Sequence, residues 1–424
     1  MLETMKRTQI ASYSDGFLSW TFPRFGVFKI SEFLAIFALP FSSRFPLRSV
    51  LRCYGLFTVG IVISFGMALT VIGHGDASLT SENGIYSSPA LVPFVNLLHV
   101  VVYLITVVSL TNYFAHCGPR DLSKTLRMAY YLTVVPGLLQ IFRIYSGIHF
   151  NLPWLERADV GPFSGVFNAG YLRVMGFEIE PLAYASSLIA VCCLSMYNGK
   201  RIPWLGMLVL IHTYGVGAAV GLVLALIGAL SDRLKKLAVP IFTVCFSLSC
   251  WFIYDHFHGL AVLASFSGSA SERLGADYAC IAMWLDHPMG IGLGMYGYLF
   301  NHYDALGLFP AGSLDFYPNN DPAMFLAYGG PLLFAGFLYV FHYILKRSSS
   351  YWITVAVLAL LIQCTSAYLF FNPAIAVLFS LVLSRAVDPV REPARVRFTL
   401  GPLLQFPFGT KIIYRRRRPE NTRV

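Results

Sequence analysis

Charged residues are scarce in this sequence, and their scarcity argues against an ordinary soluble fold. Only 12% of the 424 residues are charged, whereas 56% are hydrophobic and the mean hydropathy is +0.64. A soluble domain carries roughly 25% charged residues. One protein core cannot bury so many apolar runs in a chain of this size. The sequence therefore predicts an all-α integral membrane protein, with lipid around most of its surface.

The sequence also lacks metal-binding cysteine motifs and a secretory signal, which excludes several classes of protein. The eight cysteines include no C-x-x-C spacing and mostly fall in apolar runs, so neither a disulfide framework nor a metal site is predicted. The first residues contain Glu3 and Asp15 and have no apolar centre, so no cleavable secretory signal is expected. The formal net charge is +10, but the basic residues lie beside apolar runs, where the positive-inside rule accounts for them. We expect no cofactor and no nucleic-acid partner.

About ten to eleven transmembrane helices are predicted, since each crossing needs about twenty apolar residues. Residues 202–230 are too long for one helix and predict two short helices that turn between His212 and Gly217. Residues 26–41 predict a short span or a re-entrant element. The clear candidate spans are 53–73, 89–113, 128–148, 181–198, 237–254, 322–345, 351–370 and 372–387.

The chain is interpreted as a single polytopic membrane domain, 1–387, followed by a basic cytoplasmic tail, 388–424. Lys and Arg gather at alternate ends of the predicted spans, which places that side in the cytoplasm. Two long connections, about 149–180 and 255–321, then face outward. The second is predicted to be one large periplasmic loop containing short helices, and a loop of this length is usually functional.

Arginines in unexpected places are the first candidates for a site. Arg143 falls inside a predicted span, where an ionisable side chain is costly and often functional, although it could also reach the headgroups by snorkelling. Arg157, Arg173 and Arg273 lie on the outer face, against the topology rule. A fixed arginine there suits a phosphate or pyrophosphate ligand. An ion pair with a nearby glutamate is the structural alternative for Arg173.

The second outer connection adds polar candidates around a glycine-rich element. His287 to Gly294 reads His-Pro-Met-Gly-Ile-Gly-Leu-Gly, and glycines this dense permit a tight backbone path close to a ligand or a helix. His302, Asn320 and Asp321 follow it. Each of these could bind sugar hydroxyls or act as a general base, or could simply be a solvated loop residue.

This order of elements resembles the O-antigen polymerase and O-antigen ligase superfamily of bacterial envelope glycan assembly. The resemblance covers roughly 125–345. It is carried by the Arg173 to Pro181 stretch, the broken helix pair, the arginine that opens the large loop and the His287 to Gly294 element. The loop histidine of the ligases is replaced here by Asn319, and the Ser-Arg often found in the broken pair is replaced by His212-Thr213-Tyr214. The missing histidine favours a polymerase over a ligase.

The resemblance implies a polysaccharide polymerase in the bacterial inner membrane that transfers undecaprenyl-pyrophosphate-linked repeat units of O-antigen, capsule or exopolysaccharide at the periplasmic face. Arg173 and Arg273 are expected to stabilise the leaving pyrophosphate, and Glu178 or Glu180 to activate the acceptor hydroxyl. A flippase and a chain-length regulator are the further expected partners. The remaining substrate-binding candidates are Arg143, Arg157, His287, His302, Asn320 and Asp321.

Three other functions stay open at this point. A ligase of the same superfamily would transfer finished polymer to another acceptor. A glycosyltransferase that uses a monosaccharide-phosphate lipid would place acidic residues in its first outer loop, and residues 74–88 contain no adjacent carboxylate pair. A transporter of lipid-linked sugars would show inverted repeats and polar residues at mid-membrane. No such repeat is evident in the sequence.

Overall fold

A computed structural model describes residues 47–72, 90–150, 159–160, 172–176, 181–199, 203–257, 268–303, 318 and 320–385. The described part is mostly helical, as predicted. In chain order the helices are α1 Leu47–Ile72, α2 Val92–His116, α3 Pro119–Ser146, α4 Pro181–Tyr197, α5 Trp204–His212, α6 Val216–Gly228, α7 Asp232–Phe257, α8 Gly268–Asp286, α9 Tyr296–Tyr303, α10 Asp321–Arg347, α11 Tyr351–Gln363 and α12 Pro373–Arg385. Strands β1 Asp159–Val160 and β2 Leu172–Arg173 pair antiparallel between α3 and α4.

Four of these helices, α1, α2, α7 and α10, are long and apolar enough to cross a membrane. Four shorter apolar helices, of 10–17 residues, accompany them. The chain is accordingly a helical membrane protein, and its total of ten to eleven crossings stays a prediction. The predicted segment 26–41 and the tail 388–424 lie outside the described residues.

The predicted break in residues 202–230 is confirmed. Helix α5 ends at His212 and α6 begins at Val216, with Tyr214 between them at a φ of 48°. That conformation is uncommon for a residue with a side chain, so it marks a sharp and defined reversal. Helices of 9 and 13 residues extend only about 14 and 20 Å, less than the hydrocarbon thickness of a bilayer.

One predicted span ends earlier than expected, and another is present but contains a break that the sequence did not indicate. The span 351–370 ends as a helix at Gln363, and residues 364–372, here called the link, run without regular helix to α12. The link turns inward because Phe370 packs in the aromatic core, with ring centroids 4.8 Å from Phe57 and 5.4 Å from Phe325. These side chains are almost completely buried. A regular helix through the link would lose both this packing and the backbone contacts described below.

The span 322–345 is also interrupted, because α10 breaks at Gly329 and Gly330. Gly330 has φ 59° and ψ −156°, a conformation open to glycine alone. Pro331 follows and has no N–H to offer the carbonyl of Ala327 four residues earlier. The break therefore leaves backbone carbonyls without their usual helical donors.

Those carbonyls are satisfied by residues 287–294, here called the glycine turn. Its Ile291 N–H donates to Ala327 O at 2.8 Å, and its Gly292 N–H donates to Tyr328 O at 3.0 Å. The Ser64 hydroxyl of α1 also donates to Tyr328 O, at 2.7 Å. The turn is possible because its three glycines have positive φ, at Gly290, Gly292 and Gly294. The dense glycines thus provide the close approach to a helix that the sequence suggested.

Small residues set the distance between α1 and α10, as is typical of membrane helix pairs. A Cβ added to Gly60 would lie 2.9 Å from the Cα of Leu333, and one added to Gly336 would lie 2.6 Å from the Cα of Phe57. In both cases the obstacle is backbone, which cannot rotate away. The two helices must separate to admit any side chain at either position.

Gly60→Leu should therefore destabilise the protein by about 1–3 kcal/mol or more, as overpacked cores do. The matched control is Gly55→Leu in the same helix, because an added Cβ there meets no atom within 4 Å. We expect a lower midpoint of thermal unfolding in detergent for Gly60→Leu alone. Equal midpoints for the two variants would contradict the close α1–α10 crossing.

Candidate functional site

The link holds the beginning of α10 through one buried carboxylate. Asp321 donates its backbone N–H to Cys364 O at 2.8 Å. Its Oδ2 accepts the N–H groups of Leu369 and Phe370, both at 2.8 Å. The side chain is completely buried. Asp321 is thus engaged in holding the fold, and its predicted contact with substrate stays untested.

The break between α5 and α6 lies at this same end of the helices. A Cβ added to Gly217, in the first turn of α6, would lie 4.0 Å from Ser366 Oγ in the link. On the other side of the break, the Val174 N–H donates to His212 O at 3.0 Å. The segment that follows Arg173 and the link therefore flank the break. We call this end of the helices the link end.

Arg273 reaches the link from α8. Its Nη1 donates to the carbonyl oxygen of Ser366 at 3.5 Å. Asp277 lies four residues later in α8, so it faces the same side of the helix as Arg273. Both side chains are partly buried. A cation and a carboxylate are therefore presented together where α8 meets the link and the start of α10.

Asn320 connects this pair to α10 with the two ends of its side-chain amide. Its Oδ1 accepts the Ala323 N–H at 3.1 Å and caps the helix. Since the oxygen is used in this way, the amide group left to donate to the Asp277 carboxylate is the NH₂. Asn320 was predicted to bind sugar. The structure gives it a cap and a contact with Asp277, and the predicted sugar contact stays a prediction.

Burial raises the pKa of Asp277 from its ordinary value near 3.8 to about 7. The Asn320 hydrogen bond and the charge of Arg273 act in the opposite direction but only partly offset the cost of burial. Helix α8 is not among the helices that are apolar enough to cross the membrane. Because its pKa is about 7, Asp277 is a carboxyl group that can exchange a proton near neutral pH, which is typical of functional sites.

Asp277 is absent from the residues that the sequence singled out. The region 255–321 was predicted to hold only short helices, whereas α8 extends over 19 residues. In a loop, Arg273 and Asp277 would have no fixed relation, but on a helix their spacing of four makes them neighbours. The four-residue spacing between Arg273 and Asp277 was therefore the only sign of Asp277 in the sequence. It becomes informative only once α8 is known to be one continuous helix.

A second arginine-bearing segment lies across the α5–α6 break. Gln140 of α3 holds it: its Nε2 donates to Gly176 O at 3.0 Å, and its Oε1 accepts the N–H groups of Met175 and Gly176 at 3.1 and 2.8 Å. Arg173 precedes these residues in β2 and is partly buried. Arg143 lies one turn after Gln140 in α3. The structure thus brings the segments of Arg143 and Arg173 together, and the binding of an anion by these arginines stays a prediction.

The two predicted histidines lie elsewhere. His287 follows the last residue of α8, fourteen residues after Arg273, which corresponds to about 21 Å along the helix axis. His302 lies in α9, beside Tyr303, whose hydroxyl donates to Asp286 Oδ2 at 2.9 Å. Both histidines are exposed. The structure therefore does not bring them to Arg273, and their role in substrate binding stays untested.

The other predicted residues cannot be placed. Arg157, Glu178, Glu180 and Asn319 lie outside the described residues. Among the residues that are described, no group of three or more His, Cys, Asp or Glu side chains could hold a metal ion. The eight cysteines, all of them in described segments, are free thiols.

The raised pKa of Asp277 predicts how stability depends on pH. The folded protein binds the proton of Asp277 more tightly than the unfolded chain does. The contribution of this proton to the free energy of unfolding is therefore fully present below pH 3.8 and is lost as the pH rises through about 7. We expect the unfolding midpoint of wild type to fall relative to that of Asp277→Asn between pH 5 and pH 8, measured in detergent.

Asp286→Asn is the control, because it removes an exposed carboxylate from the same helix. Its midpoint should follow that of wild type throughout. If the unfolding midpoints of wild type and Asp277→Asn change with pH in parallel, the pKa of Asp277 is not raised in the folded protein.

Comparison with family models, with curated proteins and with solved structures finds no match to this chain. The resemblance to O-antigen polymerases and ligases accordingly stays a prediction from the motifs.

Proposed function

We propose that this chain is a membrane glycosyltransferase that polymerises lipid-linked repeat units. The donor is a glycan on undecaprenyl pyrophosphate, and the acceptor is a hydroxyl of a second lipid-linked unit. The observation that carries the proposal is the position of Arg273, held against the link of a helical membrane protein with a titratable carboxyl group one turn away. This arrangement supplies a cation for a leaving phosphate group and a proton acceptor for an attacking hydroxyl.

The orientation follows from the charges at the opposite end of the helices. That end is defined by two contacts: Lys235 Nζ donates to Ser348 O, and Asn198 Nδ2 donates to Ser123 Oγ at 3.0 Å. Basic residues lie there in the first turns of α1, α3 and α7 and in the last turn of α10. The positive-inside rule makes this end cytoplasmic. The link end then faces the periplasm, where repeat units are polymerised.

Arginine chemistry supports a pyrophosphate ligand at the link end. The transfer breaks the bond between the anomeric carbon and the pyrophosphate, so negative charge develops on the leaving oxygen. Fixed cations at that point stabilise the transition state more than the ground state. Arg273 donates to the link, and Arg173 lies in a segment that Gln140 holds by hydrogen bonds to its backbone. Arg143 is the next candidate, one turn from Gln140.

The short helices provide a path for the lipid. The outer faces of α5 and α6 are apolar and exposed, with Trp204 71% and Ile211 65% accessible. Those faces suit hydrocarbon, and the α5–α6 break lies between the two arginine-bearing segments. A polyprenyl tail lying along this pair would place its pyrophosphate at the break, beside Arg173 and Arg273.

Arg173→Ala and Arg273→Ala should each prevent chain growth in cells lacking the native gene. Loss of a cation that stabilises a leaving group costs roughly a hundredfold or more in rate. Polymer length on a gel is the measurement, with expression of each variant confirmed. Only single repeat units are expected on the carrier lipid. Lysine at either position should restore part of the activity, since it keeps the charge and loses the bidentate geometry.

Arg233→Ala is the control, because Arg233 is exposed at the cytoplasmic start of α7. It should give polymer of normal length. Long polymer that accumulates on the carrier lipid in cells lacking the chain would identify a ligase instead. Normal polymer on its normal acceptor from both alanine variants would refute the arginine site.

A further inference from the structure

We propose that Asp277 is the general base of the reaction, which accepts the proton of the attacking acceptor hydroxyl. The inference rests on the proposed glycosyl transfer and assigns a residue that the sequence motifs did not include. It replaces Glu178, Glu180, His302 and Asp321 as the first choice for this role.

The carboxylate of Asp277 is fixed from two sides. Asn320 donates to it from the beginning of α10, and Asn320 is itself fixed because its Oδ1 caps that helix at Ala323. Arg273 lies one helical turn away and is anchored on Ser366 O. A general base must be held within hydrogen-bond reach of the proton it removes, and side chains locked by such partners meet this requirement.

Asp277 is also less deeply buried than the neighbouring carboxylate of Asp321. Asp321 is completely buried and its Oδ2 is occupied by two backbone N–H groups. Asp277 is only partly buried. Of these two carboxylates, only that of Asp277 belongs to a residue with accessible surface.

The surroundings of Asp277 contain one described cation. Arg273 and Cys280 of α8 and Cys250 of α7 interact electrostatically with Asp277. The Tyr296 hydroxyl of α9 donates to the backbone oxygen of Ala276, next to Asp277, and Asp321 follows its partner Asn320 at the start of α10. Among these groups, only Arg273 carries a positive charge that stabilises the ionised form of Asp277. The cost of burial is larger, and the pKa of Asp277 is raised to about 7. A base with this pKa is half ionised near neutral pH and can hold the transferred proton afterwards.

The proposed step balances as a single displacement. The acceptor oxygen forms a bond to the anomeric carbon of the donor, and its proton moves to a carboxylate oxygen of Asp277. The bond from the anomeric carbon to the pyrophosphate oxygen breaks, and its electron pair leaves with the lipid pyrophosphate. The protonated Asp277 then returns its proton to water or to the departing phosphate. Direct displacement predicts inversion at the anomeric carbon.

Proton transfer would also change the charge that Arg273 experiences. Before the reaction, the negative carboxylate of Asp277 offsets part of the Arg273 charge. Once Asp277 is protonated, that opposition is gone, and the guanidinium acts fully on the pyrophosphate as its negative charge increases. The spacing of four residues in α8 therefore couples activation of the acceptor to stabilisation of the leaving group.

The test uses the full chain in lipid nanodiscs with lipid-linked repeat units extracted from cells that lack this chain. Asp277→Asn keeps the shape and the donor–acceptor reach of the side chain but cannot accept a proton. We expect its rate of chain growth to fall about 100- to 10,000-fold, the range for loss of a general base. Binding of the lipid-linked units, measured by the shift of the unfolding midpoint, should stay within about threefold of wild type.

The pH profile separates a base from a structural residue. The rate of wild type should rise with pH up to about 7 and then level off, because only ionised Asp277 accepts the proton. Asp277→Glu should keep a measurable rate that increases with pH over a shifted pH range. The rate of Asp277→Asn should not increase with pH. Asp286→Asn, on the same helix, should match wild type in rate and in profile.

The outcomes distinguish this inference from the proposed function. If wild type itself makes no polymer from the extracted units, the proposed function fails. If wild type polymerises and Asp277→Asn retains a rate within about threefold and the same pH profile, Asp277 is not the base. An equal loss of rate and of binding in Asp277→Asn would likewise overturn the assignment, because it would indicate a binding or structural role. Retention of the anomeric configuration would exclude the single displacement.

Discussion

The requirement that every backbone polar group be satisfied within the membrane governs this structure. Helix α10 violates its own hydrogen-bond pattern at Gly329–Pro331, and lipid offers no replacement donors. The glycine turn supplies them from Ile291 and Gly292. Since the turn directly follows α8, the repair of α10 also fixes where α8 ends. The break therefore positions the helix that carries Arg273 and Asp277.

The beginning of α10 shows two adjacent polar residues with different tasks. Asp321 turns inward and holds the link, so that Phe370 can pack in the aromatic core. Asn320 caps the helix and contacts the carboxylate of Asp277. From sequence the two appear equivalent, as polar residues ahead of a span. Both are buried, but Asn320 stands at the cap position and bonds Ala323 of its own helix, whereas Asp321, one position later, bonds the backbone of the link.

The sequence predicted the class of fold and the existence of the α5–α6 break well, because long apolar runs and paired glycines act locally. It failed at the α10 break and at the link, where the stability comes from the glycine turn and Asp321, 35 or more residues away along the chain. The arginines were predictable as exceptions to a charge rule. Asp277 was not, because the burial that raises its pKa arises only after α8 has packed with its neighbouring helices.

The short pair α5 and α6 imposes a condition on the bilayer itself. A hydrocarbon layer of about 30 Å is thicker than the about 14 and 20 Å that these helices extend, and their outer faces are not covered by the described part of the chain. Lipid chains beside this pair must shorten or tilt to avoid exposing apolar surface to water. We therefore expect hydrophobic mismatch to draw the headgroup region towards the α5–α6 break, so that the acyl-chain length of the surrounding lipids influences what can bind there.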